Sequence, residues 1–142
     1  NLLNKNKEFI IHGISRNKNK KIINQKLKKI GNNNIKNLNI YNLDLENKTE
    51  VKNLIKQVRP SKIFNLSGPS SVYDSFKEPQ KTKNTILRIF NNLIDVLILE
   101  DIKCNFFQAS SSEMFDTNIK GKIDESSKIK PNSPYAEAKV MR

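Results

Sequence analysis

The sequence predicts an α/β fold with a doubly wound parallel sheet, because short apolar runs alternate with segments of helical periodicity. Apolar runs of this length, each followed by polar or turn-forming residues, are typical of buried strands. Strands that alternate with helices favour parallel pairing with crossover connections. The predicted strands cover residues 9–14, 38–41, 62–66 and 105–109.

Two helices are predicted between these strands. The first covers residues 48–58, where apolar side chains recur at helical spacing and Pro60 ends the pattern. The second, over residues 83–100, has a broader apolar face. Residues 20–30 favour only a poor helix or a loop, and residues 135–142 are typical of the first turns of a helix that the end of the chain cuts off.

Polar residues follow each predicted strand, at the edge of a parallel sheet where ligands bind, so a nucleotide site is expected there. No G-x-G-x-x-G or G-x-x-G-x-x-G motif accompanies these groups, and the chain has only four glycines. The phosphate-binding turn that precedes such a sheet would lie before Asn1. The polar groups are Ser15 with Arg16, Asp44, residues 67–71 and residues 110–113.

The chain is strongly basic, with 26 Lys and Arg against 14 Asp and Glu and a formal net charge of +12. The lysines are scattered and mixed with asparagine, so a solvated basic surface is favoured over a nucleic-acid interface.

One cysteine, Cys104, and one histidine, His12, form no cluster with metal-ligand spacing, and no metal is expected. No apolar run approaches the roughly 20 residues that cross a bilayer, so a cytoplasmic protein without a membrane partner is expected.

Tyr135 and Lys139 form a Y-x-x-x-K motif, which places their side chains one turn apart on the same helix face. An ammonium group and a bound nicotinamide cation beside a phenol favour loss of its proton, so the tyrosine can exchange a proton with a substrate hydroxyl. Taken alone, the motif is better explained as a surface tyrosine with an ordinary lysine neighbour. Ser111 changes that interpretation, because it follows a buried strand and lies 24 positions before Tyr135.

Five blocks of sequence together resemble the extended short-chain dehydrogenase/reductases of the NAD-dependent epimerase/dehydratase family, and most closely the GDP-mannose 4,6-dehydratases. Their order and spacing agree across nearly the whole chain, which is far more specific than any single motif. The resemblance implies that residues 1–142 are part of an NAD(P)-binding, Rossmann-like domain, from its second strand to the Y-x-x-x-K helix. The blocks are HGISR (12–16), DL (44–45), KIFNLSGPSSVYDSFKEP (62–79), FFQASSSEMF (106–115) and PNSPYAEAK (131–139).

The resemblance implies four catalytic residues for the conversion of GDP-mannose to GDP-4-keto-6-deoxymannose, a step of nucleotide-sugar metabolism that leads to GDP-fucose. Tyr135 would deprotonate the C4 hydroxyl, Lys139 would bind the nicotinamide ribose and tune the tyrosine, and Ser111 would hydrogen-bond the substrate at C4. Glu113 would remove the C5 proton, which the C4 ketone makes acidic, before water leaves C6. Ser112-Glu113 favours this family, because epimerases usually lack a carboxylate here and glucose-type dehydratases have an Asp-Glu pair.

The resemblance also implies where the dinucleotide binds. Arg16 suits the 2′-phosphate of NADP, and NAD is the alternative because Asn17 stands where the mannose enzymes often have a second arginine. Asp44 and Leu45 would lie near the adenine, and Tyr135 and Lys139 would contact the nicotinamide end. Along the ribose and pyrophosphate would lie Leu66, Ser67, Gly68, Pro69 and Ser70.

Other positions depart from the family pattern. Lys81 replaces a tyrosine near the cofactor, Ile89-Phe90 replace a Gly-Thr pair that lets the helix approach the sheet, and Asp116 replaces a glycine. Two alternatives therefore stay open: another nucleotide-sugar epimerase or dehydratase of the same fold, or a non-catalytic truncated product.

The family's first strand is expected between the strands at residues 9–14 and 62–66, and most of its sugar- and guanine-recognising residues would lie beyond Arg142. The 142-residue piece alone is therefore expected to have no measurable dehydratase activity. The full-length enzyme is expected to form homo-oligomers.

Overall fold

The structure is a computed structural model that describes residues 9–16, 23, 25, 28–29 and 37–142. The predicted loop or poor helix at residues 20–30 lies mostly outside the described residues, as does Asn17. The described elements, in chain order, are strand β1 (Ile11–Ser15), strand β2 (Leu38–Asn42), helix α1 (Lys48–Val58), strand β3 (Lys62–Asn65), helix α2 (Val72–Lys77), helix α3 (Pro79–Leu99), strand β4 (Asn105–Gln108), a 3-10 turn (Ser112–Met114) and helix α4 (Pro134–Val140).

The four described strands pair in parallel, which confirms the predicted α/β fold. Strand β1 pairs with β2, with Ile11 opposite Leu38, and β3 pairs with β4, with Lys62 opposite Asn105. The described strands form two two-stranded sheets. Strand β1 begins at Ile11, so the predicted start at Phe9 was two residues too early.

Helix α1 covers the predicted residues, because its sequence carries both an apolar stripe and a capping signal. The Asn47 side chain accepts hydrogen bonds from the backbone N–H groups of Thr49 and Glu50, at 3.1 and 3.3 Å. The helix ends at Arg59, whose left-handed φ of 43° cannot continue it. The buried face consists of Val51, Leu54 and Ile55.

Helix α3 begins at Pro79, four residues before the predicted start. Proline is favoured in the first turn of a helix because its missing N–H group would have no partner there, and Thr82 in that turn is buried. Helix α2 was not predicted, because Ser75 is its one buried residue and Tyr73 and Phe76 are exposed, so no apolar stripe marks it. No described helix combines the length and the apolar character that a membrane span requires.

One face of the β3–β4 sheet is covered by α1 and α3. Ile63 and Phe106 point toward the buried residues of these helices, while Phe64 and Phe107 lie on the other face with 66% and 53% of their surface exposed. The core cluster consists of Val51, Ile55, Ile89, Leu93, Val96, Leu97 and Ile102.

The Ile89-Phe90 pair packs α3 against the core and the sheet. Ile89 is buried in the core cluster, and the Phe90 ring meets Phe106 edge-to-face with centroids 6.2 Å apart. Large side chains therefore fill the contact between helix and sheet.

Candidate active site

Helix α4 holds its two reactive side chains in a buried position. Ser133 caps the helix, because its Oγ accepts a hydrogen bond from the Ala136 N–H at 3.1 Å, and Pro134 occupies the first helical position. Tyr135 and Lys139 are each only 8% exposed. The local sequence therefore fixes both the start of the helix and the face that it buries.

Tyr135 and Lys139 stand together, with the Lys139 Nζ atom 5.3 Å from the centroid of the tyrosine ring. Within the described part of the chain, neither the phenol oxygen nor this amine makes a hydrogen bond. Burial, together with the smaller effect of the positive charge of Arg142, lowers the pKa of Lys139 to about 8. Polar atoms without protein partners on otherwise buried side chains are suited to hold a ligand.

Ser111 caps the 3-10 turn that follows β4 and Glu113 lies in it, and this turn packs against α4. The Ser111 Oγ accepts a hydrogen bond from the Glu113 N–H at 3.3 Å. Both residues are half-buried, and among the described residues the Glu113 carboxylate has no ion-pair or hydrogen-bond partner. The structure thus places these two residues on an element adjacent to that of Tyr135 and Lys139.

The ends of β3 and β4 are joined by an amide pair that sequence reasoning missed. Asn65 is buried and donates from Nδ2 to the Gln108 Oε1 at 2.8 Å, and its own Oδ1 accepts from the Ser67 N–H at 3.2 Å. The signal available in the sequence was a polar residue at the end of each apolar strand. The pair ties the loop that begins at Ser67 to the strand that leads to Ser111.

The loop after β3 contains the five residues predicted along the ribose and pyrophosphate. Gly68 has a φ of 112°, a backbone conformation that favours glycine, and Leu66 is 73% exposed. Ser67, Gly68 and Pro69 are half-buried, whereas Ser70 is exposed. This loop leads into α2, whose N-cap is Ser71.

A hollow of about 470 Å³ lies at the ends of β1 and β2. Arg16 and Asp44 both line it, and Leu45 packs against the hydrophobic core. Sequence reasoning missed Glu50, whose carboxylate accepts a hydrogen bond from the Asp44 N–H at 3.2 Å. The lining residues are Arg16, Asn42, Leu43, Asp44 and Glu50.

The described residues fit a dinucleotide in three respects. The hollow lies at the carboxyl ends of parallel strands, Gly68 has a glycine-favouring conformation on the next loop, and the polar atoms of Tyr135 and Lys139 lack protein partners in the described part of the chain. In the same part, no group of three His, Cys, Asp or Glu side chains is placed to hold a metal ion.

Two departures from the family pattern have a local explanation. The Lys81 ammonium pairs with Glu78 at 2.9 Å on the exposed first turn of α3. The Asp116 carboxylate accepts from the Asn118 N–H at 3.0 Å, and this hydrogen bond lowers its pKa. Asp116 therefore shapes the turn that follows the Phe115–Ile129 bridge.

The fold is that of the nucleotide-sugar epimerases and dehydratases with a Rossmann-type sheet. A UDP-glucose 4-epimerase from Bifidobacterium longum, solved with NAD+ and UDP, matches 96% of this chain and 40% of its own at a TM-score of 0.80 and 16% identity. A dTDP-glucose 4,6-dehydratase from Streptomyces venezuelae, solved with NAD bound, matches 92% of this chain and 39% of its own at a TM-score of 0.74 and 17% identity.

Within this class, the chain belongs to the GDP-mannose 4,6 dehydratase family, whose family model matches residues 1–142. A GDP-mannose 4,6-dehydratase from Sinorhizobium fredii (strain HH103) is 32% identical over 99 residues, which make up 68% of this chain and 28% of the relative. The predicted family resemblance is therefore confirmed. The chain spans little more than a quarter of the length of the curated relatives it matches.

Proposed function

We propose that the protein is a nucleotide-sugar 4,6-dehydratase that acts on GDP-mannose with NADP. The observation that carries this proposal is the adjacency of the 3-10 turn bearing Ser111 and Glu113 to the helix bearing Tyr135 and Lys139. A hydroxyl, a phenol and an amine serve oxidation at one sugar carbon. A carboxylate beside them serves the elimination that follows.

The first step is proton removal at the C4 hydroxyl of the sugar. Tyr135 in its phenolate form would accept this proton, and the Ser111 hydroxyl would hydrogen-bond the same oxygen as it becomes a ketone. The Lys139 ammonium, 5.3 Å from the tyrosine ring centroid, would favour the phenolate and hydrogen-bond the nicotinamide ribose. These three side chains would therefore orient the substrate and move a single proton.

The second step is loss of water across C5 and C6. Glu113 would take the C5 proton and deliver a proton to the departing C6 hydroxyl, so the carboxylate ends in the state in which it began. Its half-buried position supports this role, since water competes less for a carboxylate there, and no cation among the described residues pairs with it.

Arg16, Asp44 and the loop from Leu66 to Ser70 would hold the dinucleotide, with Leu45 contributing near the adenine. Bound there, NADP would supply reversible hydride transfer between C4 and C6 of the sugar, so the overall reaction would involve no net oxidation. Arg16 supports a 2′-phosphate, whereas the carboxylates of Asp44 and Glu50 in the same hollow support NAD. NADP is the proposed cofactor, and NAD is the alternative.

The test is the variant Glu113→Gln in the full-length enzyme, assayed with GDP-mannose. We expect kcat to fall about 10³-fold, because the general acid/base is lost while binding is kept. We also expect cofactor reduction to persist in a single turnover, because Tyr135 and Lys139 remain. The matched control, Glu125→Gln in the exposed loop before α4, should leave kcat unchanged. A Glu113→Gln enzyme with near wild-type turnover would contradict the assignment.

A second candidate is another epimerase or dehydratase of the same fold, because the solved structures that this fold resembles include both. Incubation of the full chain with GDP-mannose, UDP-glucose and dTDP-glucose distinguishes these functions. Turnover of GDP-mannose to a 4-keto-6-deoxy product alone supports the first proposal. A homo-oligomeric state and a cytoplasmic location remain predictions.

A further inference from the structure

Arg142, just after α4, connects two parts of the candidate active site. Its Nη2 atom donates a hydrogen bond to the backbone carbonyl of Ala109 at 2.6 Å, across 33 positions of sequence. Ala109 follows the last residue of β4 and lies two residues before Ser111. One guanidinium therefore joins the end of the strand that leads to Ser111 with the helix that carries Tyr135 and Lys139.

The burial of Arg142 is unfavourable for an arginine whose only role is to keep the protein surface soluble. Its Nε atom is buried, and within the described part of the chain it has no hydrogen-bond partner. Arg142 is half-buried, and this burial lowers the pKa of its guanidinium. A buried donor without a partner is rare in folded proteins, because desolvation of the group is not compensated.

No described acidic side chain neutralises Arg142, and its electrostatic neighbours belong to the reactive pair. Its charge lowers the pKa of Lys139, after the larger effect of burial, and a negative charge on Tyr135 would stabilise it. On the elements packed nearby, Glu113 stands on the 3-10 turn, and Glu137 of α4 pairs with Lys83 of α3. Arg142 is thus a second positive charge next to Tyr135.

We propose that Arg142 is a positioning residue that holds the Ala109–Ser111 segment against α4 and adds a positive charge beside Tyr135 and Lys139. This inference rests on the proposed function, because it assigns Arg142 a part in the same reaction. The hydrogen bond to Ala109 fixes the distance between the Ser111 hydroxyl and the Tyr135 phenol. The charge adds to the effect of burial in keeping the pKa of Lys139 below its ordinary value.

The first test measures the charge effect without requiring turnover. The rate at which a small acylating reagent modifies Lys139 is followed against pH in the full chain, by mass spectrometry of the peptide that contains it, because only the uncharged amine reacts. In Arg142→Gln we expect labelling at pH 8 to slow at least about twofold, since the lysine pKa rises toward its ordinary value. Arg142→Met is the second variant if the glutamine destabilises the fold.

Two further variants separate charge from geometry. Arg142→Lys keeps the charge, so its labelling profile should stay close to that of the wild type. Arg88→Gln removes a charge from an exposed site on α3 and should leave the profile unchanged. An unchanged Lys139 profile in both Arg142→Gln and Arg142→Met would overturn the proposal.

The second test measures positioning through the proposed reaction. Arg142→Gln should lower kcat about tenfold with little change in KM for GDP-mannose, because the substrate still binds but Ser111 and Tyr135 lose their alignment. Arg142→Lys should recover only part of this loss, since an ammonium does not reproduce the reach of the guanidinium. Full recovery in Arg142→Lys would overturn the positioning role. If no nucleotide sugar is turned over at all, the proposed function fails, and the labelling result still decides whether Arg142 tunes Lys139.

Discussion

The two ends of the candidate site are built differently. On α4, Tyr135 and Lys139 are buried, and their helix is fixed by a capping serine that is itself only 2% exposed. At the hollow beside β1 and β2, Arg16 and Asp44 are exposed and are surrounded by polar side chains. The first end holds its groups by packing, and the second presents them to solvent.

Under the proposed function, this difference would separate chemistry from cofactor binding. Desolvation lowers the pKa of Lys139, which has no hydrogen-bond partner among the described residues. Exposed groups interact with a ligand through charge that water and salt screen. Substitutions on α4 should therefore act mainly on kcat, and substitutions at the hollow mainly on cofactor affinity.

The largest effect is expected from Tyr135→Phe. Loss of the phenol should lower kcat by about 10³-fold or more, because the proton acceptor at C4 is removed. The fold should be unaffected, within about 0.5 kcal/mol by thermal unfolding, because this hydroxyl makes no hydrogen bond to any described residue. Tyr73→Phe on the exposed surface of α2 is the matched control and should change neither quantity. A loss in kcat of less than about tenfold would remove Tyr135 from the chemistry.

The next effect concerns Lys139→Met, in which activity and stability should move in opposite directions. We expect kcat to fall about 10²-fold. The free energy of unfolding at pH 7 should rise by about 1 kcal/mol, because the ammonium of a buried lysine, which has no described partner, is replaced by an apolar chain of similar length. Lys103→Met, at an exposed position, should alter neither.

The pH dependence of this stability difference has a definite sign. The folded-state pKa of about 8 lies below the unfolded-state value of about 10.4, so the unfolded chain binds more protons between these two values. Stability of the wild type from this group therefore rises from about pH 8 to about pH 10. The advantage of Lys139→Met should shrink over that window, as measured by denaturant unfolding. An advantage that grows with pH would be incompatible with the buried ammonium.

A smaller effect is expected at the hollow. Arg16→Ala should raise KM for NADP about tenfold while leaving KM for NAD and kcat nearly unchanged, because only the 2′-phosphate loses a partner. Glu50→Gln is the matched variant, and it should change KM for NADP in the opposite direction. Removal of a carboxylate from the same hollow should lower KM for NADP, because the 2′-phosphate is then repelled less. Equal changes for both cofactors would show that Arg16 does not distinguish them.

Local sequence signals predicted the elements with regular patterns. Helix α1 was predicted residue for residue, because Val51, Leu54 and Ile55 recur at helical spacing and Pro60 follows. The strands were predicted to within two residues for the same kind of reason. Helix α2 was missed because Ser75 alone is buried, so no periodic signal exists in its six residues.

The contacts that hold the candidate site together could not be predicted from local patterns. Asn65 and Gln108 are 43 residues apart, and Arg142 and Ala109 are 33 apart, so each contact depends on how strands and helices pack. The roles of Ser111, Glu113, Tyr135 and Lys139 came from spacing and family resemblance, and they stay predictions for experiment. Of the candidate site, only its location at the carboxyl edge of the sheet could be predicted from the order of strands and helices.

The most direct test of the dehydratase assignment follows deuterium placed at C4 of GDP-mannose. If Tyr135, Ser111 and Glu113 act in sequence as proposed, the full chain should yield a 4-keto-6-deoxy product that carries the deuterium at C6 and a solvent hydrogen at C5, as read by NMR and mass spectrometry. A product that retains the deuterium at C4 with inverted configuration, as an epimerase would give, or a product that loses it to solvent would contradict the account.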